Sequence, residues 1–213
     1  MKRWHYIVLL GVGTLGIVYV YLHRQDLGIA GSPKSASDEV ANSGSASSYF
    51  RPAQITWATV KRPKDGFSIE MPTDVKEIQV PAYNESGGTD QVNMVFSNPN
   101  AETTYSLSWA DNPPVVRING RSPERVLRMA REEALARTQT TLVSETKGTR
   151  GGFEALDIVA RNAGGGVLDT RLIYGGERLY MLTVGFPSMN ARREQDVIRF
   201  FNSFKTIGSR QNP

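Results

Sequence analysis

Cysteine is absent from the 213 residues, and histidine occurs only twice, as His5 and His23. Each shortage removes a class of chemistry. Without cysteine there is no thiol nucleophile, no disulfide, no cysteine-based zinc site and no cysteine for a lipid to be attached to. Without histidine beyond position 23, the rest of the chain has neither an imidazole base nor a histidine-based zinc site. No G-x-S-x-G elbow and no phosphate-binding P-loop occurs, so hydrolase and nucleotide readings lose their usual support. Charge of one sign is also short: 25 Lys and Arg stand against 21 Asp and Glu, a net of +4. The basic residues are scattered among acids, which leaves no footprint for nucleic acid and predicts no such partner. Missing disulfides do not argue against export, because a chain of this length can hold itself together with its core.

The stretch Gly11-Val-Gly-Thr-Leu-Gly16 spells G-x-G-x-x-G after the apolar run "YIVLL". A dinucleotide-binding turn would need a helix opening at the third glycine and an acid closing a second strand about 20 residues on. Instead "IVYVYLHRQ" follows, and Asp26 and Asp38 do not end plausible strands. No cofactor is therefore expected. The better reading is one apolar span from Tyr6 to Leu22, carried by Tyr6, Leu9, Leu10, Leu15, Ile17, Val18, Val20 and Leu22. As a helix these residues would cover about 25 Å, the short end of a bilayer core. Trp4, Tyr6, Tyr19 and Tyr21 lie near the ends, where amphipathic rings favour the headgroup layer; His5 and His23 read as interfacial by position. Lys2 and Arg3 precede the span, whereas Arg24 is offset by Asp26. The positive-inside rule then places the N-terminus in the cytoplasm and the remainder across the bacterial cytoplasmic membrane, in a periplasmic or extracellular position. A retained anchor is favoured, although Gly28-Ile29-Ala30 leaves cleavage after Ala30 open.

Four segments follow from composition: an anchor over residues 1–24, in contact with membrane lipid; a linker over 25–53; a globular domain over 54–208; and a disordered tail over 209–213. The linker is rich in Ser, Ala and Gly, and such a segment cannot bury enough apolar surface to offset its ordering entropy. Within the domain, "FSIEMP", "QVNMVFS", "TTYSLSWA", "FEALDIVAR", "VLDTRLIY" and "RLYMLTVGF" read as strands. Tyr105, Leu107 and Trp109 share one face. If Gly176-Glu177 forms a two-residue turn, Tyr174 and Leu172 lie across from Leu179 and Met181. If "NAGGG" closes the preceding hairpin symmetrically, Asp157 faces Arg171 in a cross-strand ion pair on a solvated face. One helix is expected from Ser122 as N-cap and Pro123 at the first position, with the stripe Val126, Leu127, Ala130, Ala134 and Leu135. A second is expected over "NARREQDVIRFFNSF", capped by Asn190, with Val197, Ile198, Phe201 and Phe204 buried. A mostly antiparallel sheet with helices packed on it is an α+β layered domain.

The stretches "GFSIEMP" (66–72), "TTYSLSWADNPP" (103–114), "SPERVLRMAREEALA" (122–136), "LDTRLIYGGERLYMLTVGFP" (168–187) and "VIRFFNSFK" (197–205) occur in an order that resembles the Mog1/PsbP-like family, in particular its exported, membrane-anchored bacterial members of unknown function. The resemblance spans nearly all of the globular part. It implies an α/β/α sandwich with a mostly antiparallel sheet, and a binding or assembly scaffold rather than an enzyme. The family's roles range from extrinsic photosystem proteins to a Ran-binding protein and bacterial envelope proteins, so the resemblance implies a binding scaffold and not a particular partner; an envelope protein is the kind of partner expected, its identity open. The family supplies no catalytic residues to carry over.

Two kinds of site remain to be weighed. Trp109, Asp111 and Asn112 sit at a strand end before two prolines, an arrangement able to take a sugar or peptide, although a core Trp beside a turn is the plainer reading. An exported carboxylate-based enzyme, or a carbohydrate-binding domain, would draw on Asp111, Asp157 or Asp169. No metal site is expected.

Overall fold

The computed structural model describes residues 55–83, 89–100, 102–111 and 122–207. The anchor residues named above, the linker and the tail lie outside the described residues, as does Asn112. No helix among the described residues is long and apolar enough to cross a membrane.

Among the described residues, ten strands and two α-helices follow in the order β1 (Trp57–Arg62), β2 (Phe67–Pro72), β3 (Lys76–Tyr83), β4 (Thr89–Ser97), β5 (Thr104–Asp111), α1 (Pro123–Thr138), β6 (Thr140–Arg150), β7 (Phe153–Asn162), β8 (Val167–Tyr174), β9 (Arg178–Phe186), α2 (Glu194–Ser203) and β10 (Lys205–Thr206). A seven-stranded sheet runs β3-β4-β5-β9-β8-β7-β6, and a three-stranded sheet runs β1-β2-β10. Every strand pair in both is antiparallel. The domain is thus α+β with antiparallel sheets, as the strand pattern predicted.

Both faces of the large sheet are covered, which explains why β8 and β9 read as almost continuous apolar runs. Along β9 the pleat sends Leu179 and Met181 to one face, where they meet Val126, Leu127, Ala130 and Ala134 of α1. Tyr180, Leu182, Val184 and Phe186 go to the other face and join Phe67, Ile69 and Met71 of β2 with Val197, Phe200 and Phe201 of α2. Tyr105, Leu107 and Trp109 of β5 belong to this second core. The layers are therefore α1, the large sheet, and a third layer shared by the small sheet and α2.

Both expected hairpin registers are present. Tyr174 lies across from Leu179 and Leu172 across from Met181. Gly176 takes φ +83° in that turn, a conformation open to glycine and costly for a residue with a Cβ. Asp157 lies across from Arg171.

Several details differ. Ser122 begins α1 but makes no side-chain capping bond, the Val126 N–H donating to its backbone carbonyl instead. Leu135 is only half-buried. The second helix starts at Glu194 rather than Asn190, which sits in a 3-10 turn over Met189–Ala191. Ile198 points outward at 51 % exposure, and Phe200 is buried in its place. The spacing explains the exchange: Val197, Phe200 and Phe201 fall at i, i+3 and i+4 on one helical stripe, while Ile198 is a quarter-turn off it. Phe204 follows the last helical residue and is partly buried against the same core.

Candidate functional site

The acids singled out in the sequence occupy one face of the large sheet, the face that carries β2 and α2. Asp157 on β7 and Asp169 on β8 are diagonal neighbours there, because Asp157 pairs with Arg171 and Asp169 with Val159. Sheet geometry sets such neighbours about 7–8 Å apart. The fold thus brings together the two carboxylates that a glycosidase reading requires, but both are held by arginine, Asp157 by Arg171 and Arg150 and Asp169 by Arg192. Arg171 Nε and Nη2 donate to the two oxygens of Asp157, both at 2.7 Å. Arg192 Nε and Nη2 donate to Asp169 at 2.8 and 3.0 Å.

Around Arg171 and Asp169 this face is not solvated, contrary to expectation, although Asp157 itself stays 28 % exposed. The side chains of Arg171 and Asp169 are 5 % and 4 % exposed. The Arg171 guanidinium lies over the Phe201 ring at 4.8 Å and donates to Asn202 as well. The pair therefore fastens α2 to the sheet. Similarly, the Asp169–Arg192 pair fixes the chain just after the 3-10 turn, 23 residues further along the sequence. Both are fork-to-fork contacts that use the planar geometry of arginine. Both oxygens of each carboxylate are thus already engaged by a cation.

The three residues at the end of β5 are placed differently from one another. Trp109 is 2 % exposed and meets Phe67 edge-on at 4.9 Å. Asp111 is exposed on that strand's last position and receives Arg178 Nη2 at 2.7 Å, with Arg178 Nε on its other oxygen. Arg178 also donates to the Asp65 carbonyl, joining the ends of β5 and β9 to the β1–β2 turn. Asn112 lies outside the described residues. Trp109 and Asp111 therefore serve a core and a clamp.

A cleft of about 410 Å³ opens elsewhere, between the first half of α1 and strands β6 and β7. Leu127 and Leu156 give it an apolar floor, and Glu124, Arg131, Glu145 and Lys147 line its rim. Arg131 donates to Glu145, and Lys147 donates to Glu124 at 3.0 Å. The rim is a set of paired, opposite charges. No group of three or more His, Cys, Asp or Glu suited to a metal occurs among the described residues. Sequence reading missed this rim because β6 is polar and carries no apolar alternation. The glycine loop at 151–152 reads from sequence as a hairpin turn, and the structure places one there, with φ +60° and +85° and β6 as the strand before it.

No family model matches the chain, and no curated protein matches it in sequence. Among solved structures, the cyanobacterial PsbP protein (CyanoP) of Synechocystis sp. PCC 6803 is similar over 76 % of this chain and 98 % of its own, at 11 % identity and a TM-score of 0.49. A Pseudomonas aeruginosa protein of unknown function, PA94, described as a putative regulator, is similar over 63 % of this chain and 85 % of its own, at 15 % identity and a TM-score of 0.34. A Bacteroides thetaiotaomicron VPI-5482 protein is similar over 71 % of this chain and 48 % of its own, at 11 % identity and a TM-score of 0.40. These likenesses concern the course of the backbone.

Proposed function

We propose that the chain is a single-pass membrane protein that presents a non-enzymatic, PsbP-like binding or assembly domain outside the cytoplasmic membrane. Residues 6–22 are its anchor, residues 25–53 its stalk and residues 54–208 the presented domain. The mechanism is tethering: a domain confined near a membrane meets membrane-bound partners at a raised effective concentration. One observation carries the non-enzymatic part. The two carboxylates brought together on the sheet face, Asp157 and Asp169, are each neutralised by a forked arginine contact, one of them almost wholly buried. The apolar span with Lys2 and Arg3 before it supports the topology.

Fractionation of cells making the full chain tests the topology. The protein stays with membranes through an alkaline wash, and protease added to spheroplasts removes the domain. Release from membranes with the first thirty residues still attached overturns the anchoring. Crosslinking in intact cells then tests the scaffold role, which fails if captured proteins do not rise above background.

A further inference from the structure

The large sheet ends at β6, an 11-residue strand whose side chains are mostly exposed. Among the described residues it pairs with β7 alone. An edge strand of this length presents a row of backbone N–H and C=O groups ready to pair with another strand. The opposite edge, β3, is less suited, because Pro81 lacks an N–H. A bulge lies between Leu142 and Ser144, and Val143 stands out there at 53 % exposure. The regular part of β6 therefore begins at Ser144.

The sequence from there is Ser144-Glu145-Thr146-Lys147-Gly148. Its charges are opposite and equidistant from Thr146. We infer that β6 pairs antiparallel with β6 of a second copy of this chain, about a two-fold axis through Thr146.

Register and charge select this arrangement. A two-fold axis perpendicular to the sheet keeps every side chain on its own face, so the axis passes through a residue. Placed on Thr146, it sets Glu145 opposite Lys147 of the second copy, and the reverse pair forms by symmetry. Ser144 then meets Gly148, where the flexible end of the Arg150 side chain lies and turns aside as the strands approach. Shifted to Glu145 or to Lys147, the axis sets two like charges face to face, which is destabilising. Helix α1 extends the pattern. Arg131 already holds Glu145, and Glu124 holds Lys147. Across the axis the charges then alternate as Arg131, Glu145, Lys147 of the second copy and Glu124 of the second copy. The contact between Lys147 and Glu124 is between side chains 70 % and 77 % exposed, so Lys147 is free to reach across.

The inference does not depend on membrane anchoring. Its test uses the absence of native cysteine: one introduced thiol is the only thiol in the full chain. Thr146→Cys places the two thiols at directly opposed positions, with Cβ atoms about 4.5–5.5 Å apart, close enough for a disulfide after small adjustment. Arg150→Cys places them eight strand positions apart, about 26 Å. Under mild oxidation the Thr146→Cys chain forms a covalent homodimer, and the Arg150→Cys chain forms at least about tenfold less. In the Thr146→Cys background, Lys147→Glu opposes two pairs of glutamates and lowers the yield about tenfold. Adding Glu145→Lys restores the opposite charges across the axis and recovers part of the yield, the Arg131 and Glu124 pairs within each chain being lost. Far-ultraviolet circular dichroism confirms that each variant is folded. The inference is overturned by an absent Thr146→Cys dimer, by equal yields at positions 146 and 150, by failure of the charge exchange to rescue, or by a Thr146→Cys adduct to a different protein.

Discussion

The Asp169–Arg192 pair gives a prediction whose sign depends on which partner is removed. Asp169 is 4 % exposed, between Val159 and Val184 on its neighbouring strands, whereas Arg192 is 23 % exposed at the sheet margin. Arg192→Ala strands a carboxylate in an apolar setting with two acceptor bonds lost. Breaking a buried pair from this side costs about 3–5 kcal/mol. Asp169→Ala strands a guanidinium that can turn toward water, so the cost is about 1–2 kcal/mol, the scale of a charge-assisted bond partly replaced by solvent. For a domain of this size, the first change lowers Tm by roughly 10 °C and the second by a few degrees. In the double variant no charge is stranded, and it recovers much of the loss caused by Arg192→Ala. Urea and thermal unfolding of the four proteins measure all the terms, with the coupling taken from the double-mutant cycle. Asp169→Ala costing as much as Arg192→Ala, or more, refutes the reasoning, because the asymmetry follows directly from burial.

Three further outcomes follow from burial and pairing. Phe200→Ala opens a cavity in the core beneath α2 and lowers stability by about 3–5 kcal/mol, while Ile198→Ala, on the exposed side, changes it by less than about 0.5 kcal/mol; urea unfolding separates the two, and equal effects place the wrong face inward. Tyr105 is fully buried and its hydroxyl has no hydrogen-bond partner among the described residues, so Tyr105→Phe removes an uncompensated polar group and leaves Tm unchanged or higher; a fall of several degrees contradicts this. Burial raises the Glu133 carboxyl above its ordinary value, against the opposing pull of Arg137. The folded state therefore holds that proton more tightly than the unfolded one. The associated stability is present below the ordinary glutamate range and is lost as pH rises through the raised value. Glu133→Gln flattens the stability profile in that window, which unfolding measured at a series of pH values checks; an unaltered profile assigns the slope elsewhere.

The C-terminal meander was legible because its information is local. Short glycine turns fix the register of neighbouring strands, and Leu172, Tyr174, Leu179 and Met181 alternate with residues bound for the other core. The small sheet was not legible, since β2 pairs with β10 across most of the domain, Phe67 meeting Thr206. Nothing near Phe67 announces that partner. The same division applies to the acids. Asp157 and Arg171 were matched by hairpin symmetry, whereas Asp169 and Arg192 are joined through a turn whose geometry no strand or helix period encodes.

Strand β6 combines both limits and shows why the edge matters. Its sequence carries no strand signal, because an edge strand buries little on either face and needs no apolar alternation. Charge and a bulge are also the usual means by which an edge avoids its own kind. A lone Lys, or several charges of one sign, would serve that end. Glu145 and Lys147, two apart and of opposite sign about Thr146, do the reverse in one register and serve it in the two adjacent ones. The pattern therefore disfavours the two adjacent registers and favours the one centred on Thr146. A protecting role alone predicts that Lys147→Glu leaves association unchanged, since a charged edge remains charged. A pairing role predicts loss, and partial recovery when Glu145→Lys is added.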